Sequence, residues 1–218
     1  DMAKDIKNGR LETALKLFRK AASISASFLF PIMFFLMTFS ESFIDILYSN
    51  KYSGSVIPFR IYLLVIPVRI AYYGAAFIAL GRTKTILYRS FIDLLLTFLL
   101  CYFFVKLFGA YGAALGLILT LYIWTIPFNL MSLSKSFKTK IMYMLPFRKL
   151  FRILLISFFA AIVSSSLFFL NLSSIVEFSF GIIFYWIVYI LLAIKYIDDF
   201  KDTAFIYLKK IFFIKKTF

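Results

Sequence analysis

The sequence predicts an all-α polytopic membrane protein, a bundle of six transmembrane helices. Three observations carry this reading. Apolar residues make up 63% of the chain and phenylalanine alone fills 30 positions, more than a soluble core of this size can hide. The apolar residues come in runs of about 20, enough to cross a ~30 Å hydrocarbon layer at 1.5 Å per residue. The cations gather in short loops at alternate ends of those runs, as membrane topology requires.

The chain opens with Lys4, Lys7, Arg10, Lys16, Arg19 and Lys20. Within "GRLETALKLF", Leu11, Leu15 and Phe18 share one helical face. That segment reads as an amphipathic helix at the inner interface or as a cover over the bundle floor. The predicted spans are Ala21–Ser40, Pro58–Leu80, Tyr88–Phe108, Ala110–Met131, Leu150–Leu170 and Phe178–Tyr196. The first loop carries Glu41, Asp45 and Lys51. The second carries Arg82, Lys84 and Arg89, and the third has little beyond Lys106. The fourth is basic, with Lys135, Lys138, Lys140, Arg148 and Lys149, whereas the fifth has only Glu177. The tail carries Lys201, Lys209, Lys210, Lys215 and Lys216.

Every second loop is therefore basic, which places both chain ends in the cytoplasm. Lys51 and Asn171 are expected outside, and Lys140 and Lys209 inside. The resulting organisation is a cytoplasmic amphipathic connecting segment (1–20), four spans (21–131), a basic cytoplasmic loop (132–149), two further spans (150–196) and a basic cytoplasmic tail (197–218). The tail mixes aromatics and lysines and is suited to anionic lipid. Because residue 1 is Asp, the chain reads as a piece of a longer protein.

The net charge of +15 does not point to nucleic acid, because it is distributed by topology and not along one face. The single cysteine, Cys101, rules out an internal disulfide framework, and the absence of histidine removes His-based catalysis and His-ligated metal. No Gly-rich phosphate loop or nucleophile motif occurs. Glu41 and Asp45 stand four residues apart, a spacing that surface carboxylates adopt as solvated groups far more often than as catalytic ones. "NLS" at Asn171–Ser173 matches a glycosylation triplet, one common by chance. These residues offer no catalytic motif, and no enzyme activity, cofactor or metal is expected of the chain.

Polar groups inside the spans say more. Arg69 lies near the middle of the second span, with Tyr62 and Tyr73 on its side of a continuous helix. In the third span Asp93, Thr97 and Cys101 fall four apart and form one polar stripe. Charges here are too costly to face lipid, so Arg69 and Asp93 are expected to face the bundle interior or a wet cavity. Counted from the "GRTK" turn, the two come within about three residues of equal height, ~4.5 Å along the axis. Two readings follow. Arg69 and Asp93 pair as static glue, or Arg69 meets an anionic substrate and Asp93 serves coupling. Gly109, Gly112, Ala113 and Gly116 in the fourth span, and Ala71, Gly74, Ala75 and Ala79 in the second, permit close helix approach. Pro31, Pro67 and Pro127 can each bend a span.

Three ordered stretches, "LYSNKYSGSVIPFRIYLL", "ALGRTK" and "FGAYGAALG", follow a span containing "FLFPIMFFL". Together they resemble the C-terminal part of the polysaccharide biosynthesis proteins. These are lipid-linked oligosaccharide flippases (O-antigen or Wzx-type) of the multidrug/oligosaccharidyl-lipid/polysaccharide exporter superfamily. The resemblance covers about residues 1–131. Family members commonly have glycine where Ser49 lies and asparagine where Thr97 and Cys101 lie.

The resemblance implies the second lobe of a two-lobed transporter plus two accessory helices, in the bacterial inner (plasma) membrane. It implies movement of an undecaprenyl-pyrophosphate-linked O-antigen or capsule unit by alternating access. Arg69, Tyr62, Tyr73 and Thr97 would then meet the substrate, with Asp93 in coupling or an ion pair. The implied partners are lipid-linked oligosaccharide, membrane lipids, an N-terminal half of the same protein, and polysaccharide polymerase and chain-length machinery. The alternatives are a multidrug or cation-coupled exporter of the same superfamily and a membrane glycosyltransferase or polymerase.

Overall fold

The computed structural model describes residues 2–170 and 172–197. Asn171 and the basic tail from residue 198 lie outside the described residues. Eleven α-helices, with short 3₁₀ and π segments and no strand among the described residues, run in chain order. Six helical stretches are long and apolar enough to cross a membrane.

The first span is α2 (Leu11–Thr38), which begins well before the apolar run. No Gly or Pro occurs between Leu11 and Phe30, and Leu, Ala, Lys and Arg propagate a helix readily. The amphipathic segment is therefore the basic end of the span and not a separate helix. Its apolar face is buried at Ala14, Leu15 and Phe18. The separate piece is α1 (Met2–Lys7), set off by Gly9 at φ +75° and tied down by an Arg10–Asp5 ion pair of 2.8 Å.

A short helix, α3 (Ser40–Tyr48), and a 3₁₀ turn (Asn50–Ser55) lead into the second span. That span is cut into three: α4 (Val56–Leu63), α5 (Ile66–Arg69) and α6 (Tyr73–Ala79). The third, α7 (Thr83–Phe108), is unbroken. The fourth comprises α8 (Ala110–Thr120), a π segment (Leu121–Thr125) and α9 (Ile126–Ser136). The fifth is α10 (Phe147–Ser164), prolonged by a 3₁₀ stretch to Leu170, and the sixth is α11 (Ser174–Tyr196).

The most deeply buried side chains lie where α10 and α11 meet α2 and α3. Tyr185, Tyr189 and Phe39 are fully buried there. Gly181 of α11 admits the Phe39 ring, since a Cβ would fall 2.6 Å from it. The two C-terminal spans thus share one core with the first. By contrast, α7 packs chiefly on α8 and buries no residue completely. Gly109 (φ +61°) makes the turn between them. Gly112 and Gly116 let the backbones meet: a Cβ on Gly112 would run into the Phe104 carbonyl, and one on Gly116 would lie 2.6 Å from the Cys101 nitrogen. This is the close approach that small residues permit.

Candidate functional site

The interruption of the second span begins with Pro67. Proline lacks an N–H and its ring crowds the carbonyl four residues back; α4 ends at that residue, Leu63. Leu64 and Val65 turn by three-residue hydrogen bonds to Ile61 and Tyr62. The Tyr122 hydroxyl, from the fourth span, donates to the Leu64 carbonyl at 3.0 Å. Backbone carbonyls at membrane depth need such a donor because lipid offers none.

A second break follows at Tyr72 (φ −85°, ψ 74°), where the Tyr73 N–H bonds to the Ala71 carbonyl at 3.0 Å. That is an inverse γ-turn. Arg69 ends the one-turn helix α5 between the two breaks. Its side chain is exposed and makes no hydrogen bond or ion pair with a described residue.

The breaks change the neighbours expected of Arg69. The seven- and four-residue spacings that align Tyr62 and Tyr73 hold only for a continuous helix. Here Tyr62 lies on α4 and is exposed. Tyr73 lies on α6, buried, with its ring 6.1 Å from that of Phe18.

Asp93 has partners other than Arg69. Its Oδ2 lies 3.3 Å from Nε of Arg89, one helical turn earlier in α7, and its Oδ1 accepts from the Thr125 hydroxyl at 2.8 Å. Arg89 also donates from Nη1 to Asn129 Oδ1 at 3.1 Å. The 3.3 Å contact is poorly aligned for hydrogen bonding, and Arg89 Nε has no hydrogen-bond partner, so the pair is held by charge. Thr125 and Asn129 are buried. Thr125 belongs to the π segment, whose extra residue precedes Pro127; π turns of this kind re-aim side chains.

The expected polar stripe therefore exists but faces the fourth span. Asp93 meets Thr125, and Cys101 Sγ donates to the Ala113 carbonyl at 3.4 Å. Thr97 lies between them, half-buried. The cluster pairs Asp93 locally and does not include Arg69.

Sequence reasoning passed over two arginines. Arg89 looked like a loop cation and is a member of the intramembrane cluster. Arg60 sits within α4, donating to Ser40 Oγ at 2.5 Å, the Met37 carbonyl at 3.2 Å and Glu41 at 3.1 Å. It closes the C-terminal end of α2, where carbonyls lack helical partners. Nearby, the Ser174 hydroxyl donates to Asp45 at 2.6 Å and that of Ser42 donates to Glu177. The carboxylates of this end are engaged in joining α3 to α4 and α11. No group of three His, Cys, Asp or Glu side chains suited to a metal forms among the described residues.

Fold and site together define a multi-pass helical membrane protein with an interrupted span and an intramembrane ion cluster. No protein-family model, curated protein or solved structure matches the chain.

Proposed function

We propose that the protein is a flippase for lipid-linked oligosaccharide, with Arg69 meeting the anionic part of the cargo. The observation that carries this reading is the placement of Arg69. It is an exposed cation without a partner among the described residues, at an interruption of a helical stretch long and apolar enough to cross a membrane. Interrupted helices at the midplane are where transporters bind polar cargo, and an intramembrane ionisable residue is functional by default. A pyrophosphate or acidic sugar supplies the missing charge through charge-assisted hydrogen bonds.

The resemblance of residues 1–131 to the oligosaccharide flippases supplies the cargo class and the alternating-access mechanism. Asp93, paired with Arg89, is a weaker attractor for cationic drugs than a free carboxylate, which favours oligosaccharide over the multidrug alternative. In this reading the Arg89–Asp93–Thr125–Asn129 cluster holds the third and fourth spans in register beside the substrate route.

The test is surface display of polysaccharide in cells whose only copy carries Arg69→Ala, with membrane protein level measured in parallel. Display falls at least about tenfold while protein level holds, and Arg69→Lys retains part of the activity because charge survives without the planar fork. Unchanged display in Arg69→Ala cells would overturn the proposal.

A further inference from the structure

The basic end of the bundle contains two cavities on either side of Arg19 and Tyr143. One, of about 690 Å³, lies between the start of α2 and the loop after α9. The other, of about 650 Å³, is bounded by Arg19, Lys140, Arg148 and Lys149 among apolar and aromatic neighbours, with no carboxylate among the described residues of its lining. Arg19 Nε is buried without a hydrogen-bond partner. A buried guanidinium nitrogen left unsatisfied among further cations calls for an acceptor, and the surrounding charge calls for an anionic one.

What distinguishes the second cavity is its continuation. Leu145, Phe147 and Arg148 also line an open groove of about 520 Å³ that is otherwise apolar. The groove follows α10 from Arg148 to Leu154, ~9 Å of helix. Its opposite walls are Phe30, Ile70, Ile126 and Leu130. A soluble phosphate would use the basic cavity and leave the groove bare. An amphiphile with an anionic head and a hydrocarbon chain fills both. Basic pockets between membrane helices bind lipid headgroups by this chemistry.

We propose that this end of the bundle holds one anionic phospholipid, its phosphate at Arg19, Lys140 and Arg148 and an acyl chain in the groove between α9 and α10. Arg69 lines neither the cavity nor the groove, although Pro67 and Ile70 on either side of it line the groove, and the phosphate end does not depend on what the protein transports. The bound lipid joins the start of the first span to the loop before the fifth, so anionic lipid composition controls how firmly that end of the bundle is closed.

The experiment reconstitutes the purified protein in phosphatidylcholine nanodiscs containing a little phosphatidylglycerol with a diazirine in its acyl chain. Cross-links are mapped by peptide mass spectrometry. They concentrate on residues 126–130 and 150–154. Excess unlabelled phosphatidylglycerol removes them, and excess glycerol 3-phosphate does not. Arg19→Gln with Arg148→Gln weakens the competition by about 30-fold, at about 1 kcal/mol per cation near a phosphate. Should that double variant fail to fold, Leu154→Trp fills the groove with the cations intact and lowers the labelling. Equal labelling by a phosphatidylcholine probe would reduce the groove to ordinary lipid contact and overturn the proposal. Equal competition by glycerol 3-phosphate would make it a soluble-phosphate site. Displacement by polyprenyl phosphate at lower concentration than phosphatidylglycerol would assign the groove to the carrier of the cargo. Either of the last two results also overturns the proposal.

Discussion

Pro31 and Pro67 stand inside the first and second spans, and the chain around them behaves differently. At Pro31 the helix runs on from Leu11 to Thr38. At Pro67 it stops and restarts, and it breaks again before Tyr73. Both prolines release the carbonyl four residues back. For Pro31 that carbonyl belongs to Ser27, and the Tyr189 hydroxyl of α11 donates to it at 2.6 Å. Pro31 is itself fully buried, packed where α10 and α11 close on α2. Around Pro67 the bracing is lighter: Tyr122 reaches the neighbouring Leu64 carbonyl, and α5 leans mainly on α2. A proline thus bends or breaks a span according to what surrounds it. Dense packing and a donated hydrogen bond keep one helix whole. A half-open wall lets the other unwind and leaves Arg69 at the gap.

The comparison can be broken most severely on the open side. Arg89→Ala leaves Asp93 unpaired inside the span and costs about 3–5 kcal/mol, read as lost membrane protein level and a lower midpoint of thermal unfolding in detergent. Arg89→Leu with Asp93→Leu recovers most of that stability, because the charge is removed along with its partner. Full stability of Arg89→Ala alone would mean that the cluster is solvated and does not hold the third and fourth spans.

Next in size is Gly116→Ala, which pushes α8 away from Cys101 and costs about 1–3 kcal/mol by overpacking. Disulfide cross-linking between engineered cysteines on α7 and α8 measures the separation, with Cys101→Ser as background. An unchanged cross-linking rate would mean that the hairpin has slack.

The two tyrosines then sharpen the contrast. Tyr189→Phe leaves the Ser27 carbonyl without its donor in a packed core and costs about 1–3 kcal/mol. Tyr122→Phe acts at a looser, partly exposed site and costs about 0.5–1.5 kcal/mol. Parallel thermal unfolding of the two variants gives the order. The reverse order would show that the Pro67 region is the more constrained one.

Smallest in stability is Pro67→Ala, which restores an N–H and permits α4 and α5 to join. Amide exchange across residues 63–69 slows, while the midpoint of unfolding moves little. Unaltered exchange there would assign the break to packing and not to proline.

Much of the architecture was legible because it depends on quantities that add up locally. Six apolar runs of spanning length predict six helices, since backbone groups in lipid must be paired within the segment. The small residues of the fourth span predicted a close neighbour, and Gly112 and Gly116 meet α7 as expected. Helix ends were less legible. The first span begins at Leu11 because helix propensity continues past the edge of the apolar run.

The site was legible only in part. The sequence by itself placed Arg69 and Asp93 within apolar runs of spanning length and raised the expectation that both need company, because a charge in lipid must be compensated. Only the tertiary structure decided the company. A proline releases a carbonyl in any span, yet whether the span breaks depends on a tyrosine such as Tyr189, 162 positions from its acceptor. Once the second span broke, the helical spacing that joined Arg69 to Tyr62 and Tyr73 lost its meaning. The π segment before Pro127 presents Thr125 to Asp93, and Arg89 closes the cluster from one turn away. Local pattern governs which groups fall within the apolar runs; contacts across long sequence separation govern which of them are paired there, as Asp93 is with Arg89 and Thr125.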